Sequence, residues 1–160
     1  MKPFSALIAS CLIATPAMAA QPASWLVGSW KLVDATQHTA GGQTKEYFGP
    51  NPIGQLIFDE DGQFSDILMR SDLPKFKNNN RAKGSAEENA AVVEGTIGYF
   101  GTYTLTGDNL KMHLVGSPYP NWINTDQTRI VRQDGDRFTW QNAAPSAGGE
   151  QLVMVFERVK

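Results

Sequence analysis

The chain holds one cysteine, Cys11, and none follows it. Everything beyond residue 11 is therefore without a disulfide or a thiolate metal site. Only two histidines are present, His38 and His113, widely separated and with no cysteine near them, so no recognisable metal-ligand set exists. Charge is sparse: charged residues make up 19% of the chain and the formal net charge is −2. Nucleic acid calls for a concentrated basic face, and none is expected as a partner here. No apolar run reaches the ~20 residues of a membrane-spanning helix. The sequence also lacks a Gly-x-Ser-x-Gly elbow, a phosphate loop and a dinucleotide fingerprint, so it gives no reason to expect a cofactor. The acidic run Asp59-Glu60-Asp61 precedes Gly62 and reads as a solvated hairpin turn, not as paired catalytic carboxylates.

The amino-terminal residues form a unit of their own. Lys2 gives a positive start, Phe4 to Ile13 is a short apolar core, and Ala17-Met18-Ala19 is a small-residue cleavage pattern. This is the layout of a cleavable secretory signal over residues 1–19, with residues 20–160 as the mature domain in a periplasmic or extracellular location. A rival reading takes Ile8-Ala9-Ser10-Cys11 as a lipoprotein box, but the apolar stretch ahead of Cys11 is too short for a normal signal core.

Aromatic residues make up 10% of the chain, with 15 Gly and 9 Pro between them. That mixture predicts short strands and turns. The pattern places strands over Ser29 to Gln37, Lys45 to Phe48, Gly54 to Phe58, Gln63 to Met69, Ile97 to Leu105, Leu110 to Leu114, Gln127 to Arg132, Arg137 to Gln141 and Gln151 to Arg158. On the first strand Trp30, Leu32 and Asp34 are expected on one face. Tight turns are expected at Asp59–Gly62, Gly107–Asn109, Asp134–Asp136 and Ser146–Gly149. One short helix is predicted from Ser85, a capping residue followed by Glu87 and Glu88, to a stop at Gly95. Between strand and helix, Ser71 to Lys83 has no period and reads as a lid or binding loop. The sum is an all-β chain of about 8–10 strands, a sandwich or a barrel, with one helix.

The order of residues resembles a family. Gly28-Ser29-Trp30 opening the first strand is similar to the Gly-x-Trp start of lipocalins. Phe48-Gly49-Pro50-Asn51-Pro52-x-Gly54, then Asp61-Gly62, Leu68-Met69-Arg70, Gly95-x-Ile97-x-Tyr99-x-Gly101-x-Tyr103, His113, Gly116-Ser117, Pro120-Asn121-Trp122 and Arg129 follow in a series resembling the bacterial lipocalin-like domain family. The resemblance covers nearly all of residues 20–160. It implies a closed antiparallel β-barrel able to hold one small molecule. It brings no catalytic residues. Many relatives lack a leader, which implies a different compartment for this chain.

Seven residues are the candidates for binding a small apolar or amphipathic ligand, including an anionic one. Tyr99 and Tyr103 share a face and either line a cavity or form a packed aromatic wall, with Gly101 leaving space between them. His113 lies opposite in parity to Leu110, Met112 and Leu114, and its direction stays open. Trp122, beside Pro120, either stacks on a ligand at the mouth or plugs a corner. Arg129 shares a face with Gln127 and Val131. Pointing inward it would need an anionic partner, and pointing outward it would be solvated. Met69 and Phe76 are candidates for an apolar lid, although core packing also explains Met69. Besides the carrier, two alternatives remain: an isomerase or cyclase using Tyr99, Tyr103, His113 and Arg129 as its acid–base group, and a barrel whose interior is filled by its own side chains.

Overall fold

Period-two alternation of apolar residues makes one face of each strand dry and the other wet, and a sheet with one dry face is stable when it curls around that face. The computed structural model describes residues 24–39, 41–142 and 151–160. The leader, Cys11 and the expected Ser146–Gly149 turn lie outside the described residues. The strands are β1 (Gly28–His38), β2 (Thr44–Glu46), β3 (Ile53–Phe58), β4 (Gln63–Met69), β5 (Thr96–Thr106), β6 (Asn109–Gly116), β7 (Thr125–Asp134), β8 (Arg137–Asn142) and β9 (Gln151–Arg158). One α-helix, α1 (Ala86–Gly95), precedes β5. All pairings are antiparallel and follow the order β1-β3-β4-β5-β6-β7-β8-β9; β1 pairs with β9 and closes the ring, while the short β2 lies beside the far half of β1. The expected barrel with one α-helix is thus the architecture found.

One correction concerns β1. A β-bulge interrupts the β1–β9 ladder between Leu32 and Asp34. Trp30 and Leu32 point inward, but the bulge resets the alternation, so Asp34 is exposed and Ala35 is buried. Asp34 therefore does not share the inward face.

The two ends of the barrel differ. At one end the connections are the short turns around Gly62, Gly107 and Gly135, each glycine with positive φ. The segment before β1 seals this end. Trp30 donates from Nε1 to the Leu26 carbonyl at 2.8 Å, and its ring meets Phe138 edge-on at 4.8 Å. The Arg158 guanidinium lies 4.1 Å from the centroid of Trp30 and donates to the carbonyls of Val27 and Trp25. At the other end the connections are long: 39–52, 70–95 and 117–124. Here Ser85 caps α1 as expected. Its Oγ accepts from the Glu88 N–H at 3.2 Å, and the Glu88 carboxylate accepts from the Ser85 N–H at 2.9 Å. The same carboxylate accepts from the Lys77 N–H at 2.9 Å, which ties the aperiodic 71–83 loop to the helix.

Gly101 lies between Tyr99 and Tyr103 on the inward face, but its small size serves strand approach more than ligand space. A Cβ there would fall 1.9 Å from the His113 carbonyl oxygen, where β5 and β6 shift register. Gly101→Ala is expected to destabilise the protein by about 1–3 kcal/mol, read as a lower Tm. Gly98→Ala, whose Cβ would make only ordinary contact at 3.5 Å from the Asp66 carbonyl oxygen, is the control and is expected to stay within about 0.5 kcal/mol of wild type.

Candidate functional site

The inward face is largely apolar and aromatic, with polar exceptions on β4 and β7. On β4 the inward positions are Phe64, Asp66 and Leu68, and Asp66 is only 8% exposed. Its neighbour on β3 is Leu56 and its neighbour on β5 is Tyr99. The backbone N–H of Tyr99 donates to Asp66 Oδ1 at 3.0 Å, while Oδ2 is buried with no hydrogen-bond partner. Removing a carboxylate from water disfavours its charged form strongly. Burial accordingly pushes the Asp66 carboxyl up to about 8, against the opposing pull of the Tyr99 N–H, the Tyr99 hydroxyl and the more distant Arg129 charge.

Tyr99 and Arg129 complete the cluster. The Tyr99 phenol is raised far above its ordinary value, first by burial and then by the neighbouring Asp66 charge, with Arg129 working the other way. Arg129, inward on β7, donates to the side-chain oxygen of Gln127 and, at 3.0 Å, to the Thr128 carbonyl. Its guanidinium carbon lies 5.6 Å from the centroid of the Trp140 ring. Its Nε is buried and unpartnered. Asp66 Oδ2 and Arg129 Nε are both buried without a direct hydrogen-bond partner, and the Tyr99 side chain interacts with both residues. Trp122, in the 3₁₀ turn Pro120–Trp122 between β6 and β7, meets the Tyr99 ring edge-on at 5.6 Å. It is half-buried and packs against the core, combining the corner and the wall roles.

The other candidates lie elsewhere. Tyr103 is buried towards the sealed end, where its hydroxyl donates to the Asp59 carbonyl at 2.8 Å and its ring meets Phe58. Burial and the nearby Asp59 charge push it up to about 12. His113 faces outward. Its side chain is 46% exposed and its Nδ1 lies 2.8 Å from Asp126 Oδ1, an outer-wall pair that also includes Lys111. The alternation of β6 decides this: Leu110, Met112 and Leu114 take the inward positions. His113 therefore cannot touch a molecule inside the barrel, and the acid–base group built around it has no geometric basis. Met69 has the outward parity of Ser65 and Ile67 at the end of β4, so it is not an inward wall residue. Phe76 packs on Gly84 within its own loop, away from the cluster. At the wide end, between the 39–52 connection and the start of the 70–95 connection, a cleft of about 440 Å³ is lined by Tyr47, Arg70, Leu73 and Glu94 among others. Arg70 there is held by both oxygens of Asp72 at 2.8 Å.

Of the seven residues expected from the sequence, Tyr99, Arg129 and Trp122 lie at or beside this cluster, and Asp66 was not among the seven. The missed signal was a carboxylate at an inward position of an apolar alternation.

A closed barrel with an aromatic interior, a sealed end and a polar group held inside belongs to the lipocalin type of architecture. The sequence model of the lipocalin-like domain matches residues 27–159, and the chain belongs to that family. A crystal structure of a lipocalin-like protein from Bacteroides uniformis is similar at 18% identity and a TM-score of 0.46, covering 85% of this chain and all of that one. An uncharacterised protein from Bacteroides eggerthii is similar at 17% identity and a TM-score of 0.41, covering 84% of this chain and 99% of that one. A search of curated proteins gave no match.

The burial of Asp66 sets a pH dependence. Unfolded, the group ionises near 3.8; folded, it ionises near about 8. Between those values the native state keeps a proton that the unfolded chain has released. The stability this supplies is fully present below the unfolded value and is lost as pH rises towards the folded one, by up to about 1.4 kcal/mol per pH unit. Chemical denaturation at a series of pH values should show this falling limb, and Asp66→Asn should remove it.

Proposed function

We propose that this protein is a carrier that binds a small amphipathic molecule inside its barrel, apolar body against the aromatic wall and polar end at the Asp66–Tyr99–Arg129 cluster. The observation that carries the reading is the pair of polar atoms buried without a direct partner, Asp66 Oδ2 and Arg129 Nε, in a largely apolar interior. Buried polar atoms in folded proteins are nearly always satisfied, and a ligand is one way of satisfying them. An isomerase or cyclase role would have to draw on Asp66 and Tyr99, since His113 faces outward. The carrier reading is tested with hexanol, decanol, hexanoate, decanoate, indole and naphthoate. Binding to the native state alone adds about 2.7 kcal/mol at roughly a hundredfold excess over Kd, so at least one probe is expected to raise Tm by about 5 °C and to alter tryptophan fluorescence. No shift with any probe counts against a carrier.

We also propose that the protein is exported. The support is the Lys2, Phe4–Ile13 and Ala17-Met18-Ala19 layout. Mass spectrometry of the protein from a bacterial periplasmic fraction is expected to give Ala20 as the first residue. An intact Met1 would overturn export, and a lipid on Cys11 would replace cleavage after Ala19 with lipoprotein processing.

A further inference from the structure

The chemistry of the ligand's polar end follows from the interior cluster, and the argument rests on the carrier reading above. Arg129 lays a permanent positive charge against the Trp140 ring with its Nε buried and unpartnered, a setting where an unpaired charge is costly. The Asp66 carboxyl lies close enough to feel this charge, and the two form no ion pair. If Asp66 were ionised, its unmet oxygen and the unmet Arg129 Nε would call for a bridging group with both a donor and an acceptor, such as an alcohol or amide. If Asp66 is a neutral acid, its proton adds a donor to those of Arg129 and Tyr99 within the same cluster. Three donors and one net positive charge call for an acceptor that is itself charged.

We infer that the cluster receives the ionised carboxylate of an amphipathic acid, which takes its charge complement from Arg129 and hydrogen bonds from the Tyr99 hydroxyl and the Asp66 carboxylic acid. Asp66 is more than nine-tenths buried with one oxygen unpartnered, the setting in which a carboxyl keeps its proton. The titratable and charged groups facing it are Tyr99 from β5 and Arg129 from β7, while β3 presents Leu56. Because the phenol stays protonated well beyond neutral pH, Asp66 alone changes charge in the accessible range. Raising the pH through its titration converts a donor into a second anion that competes for Arg129 and expels the ligand. Acid binding is thus coupled to proton uptake, with release on the alkaline side.

The experiment compares matched pairs with the same body, hexanoate with hexanol and decanoate with decanol, by calorimetry on the full mature chain. At about pH 6.5, below the Asp66 titration, the carboxylate is expected to bind at least tenfold more tightly than the alcohol. At about pH 9.5, above it, that preference is expected to disappear. Asp66→Asn should keep carboxylate binding at the higher pH, because the amide stays neutral and still donates. Arg129→Gln should abolish the preference; should Arg129→Gln fail to fold, the Asp66→Asn comparison decides alone. Alcohols binding as tightly as carboxylates, or a carboxylate preference indifferent to pH and to Asp66→Asn, overturns the inference and leaves the carrier standing. Binding of neither series removes both.

Discussion

The desolvation of Asp66 governs the chemistry of this barrel. Nothing else on the inward face of β4 is polar, and Leu56 and the Tyr99 ring keep water from one of its oxygens. A carboxyl in water would be an anion and would neutralise Arg129. The same group in this interior holds its proton to about pH 8 and leaves Arg129 as the uncompensated charge. The polarity of the site is therefore set by the wall around the acid as much as by the acid itself. Tyr99 links the two through its hydroxyl, and its backbone N–H fixes the orientation of Asp66 through Oδ1. One oxygen is thus anchored to the sheet, while the other has no direct hydrogen-bond partner.

The barrel supports this by making its ends unlike. The sealed end concentrates aromatic packing, with Trp25, Trp30, Phe138 and Phe156 in a run of ring contacts topped by Arg158. Tyr103 belongs to that end, tied to the Asp59 carbonyl. The wide end carries the long connections, fixed at one point by Glu88, which serves α1 and the 71–83 loop together. Close aromatic packing at one end and long connections at the other thus set the asymmetry of the barrel.

Much of this was legible in the sequence because alternation and turn chemistry are local. The strands from Gln63 to Met69 and from Arg137 to Gln141, the glycine turns and the Ser85 cap depend on near neighbours, and the structure places them close to where the pattern does. Two features depend on distant strands and were not legible. The bulge in β1 comes from its fit to β9 and turns Asp34 outward. Asp66 became significant only once Tyr99 and Arg129 were brought to it by β5 and β7. Arg129 shows the limit well: its shared face with Gln127 and Val131 was readable, but whether that face looked in or out was not. His113 was decided by the parity of its own strand, a signal already present in Leu110, Met112 and Leu114.

Closure of the ring by β1 and β9 carries a consequence for synthesis of the chain. Each strand from β4 to β9 pairs with the strand immediately before it, and β2 and β3 both pair with β1, whose other edge waits for the last strand. Until β9 is made, β1 and β8 are bare edges exposing unpaired N–H and C=O groups, the condition under which nascent chains stick to one another. A nonsense mutation ahead of Gln151 would leave both edges permanently open. The truncated product is then an aggregation hazard instead of a smaller barrel, so quality control during translation bears on this fold more than the stability of any single strand.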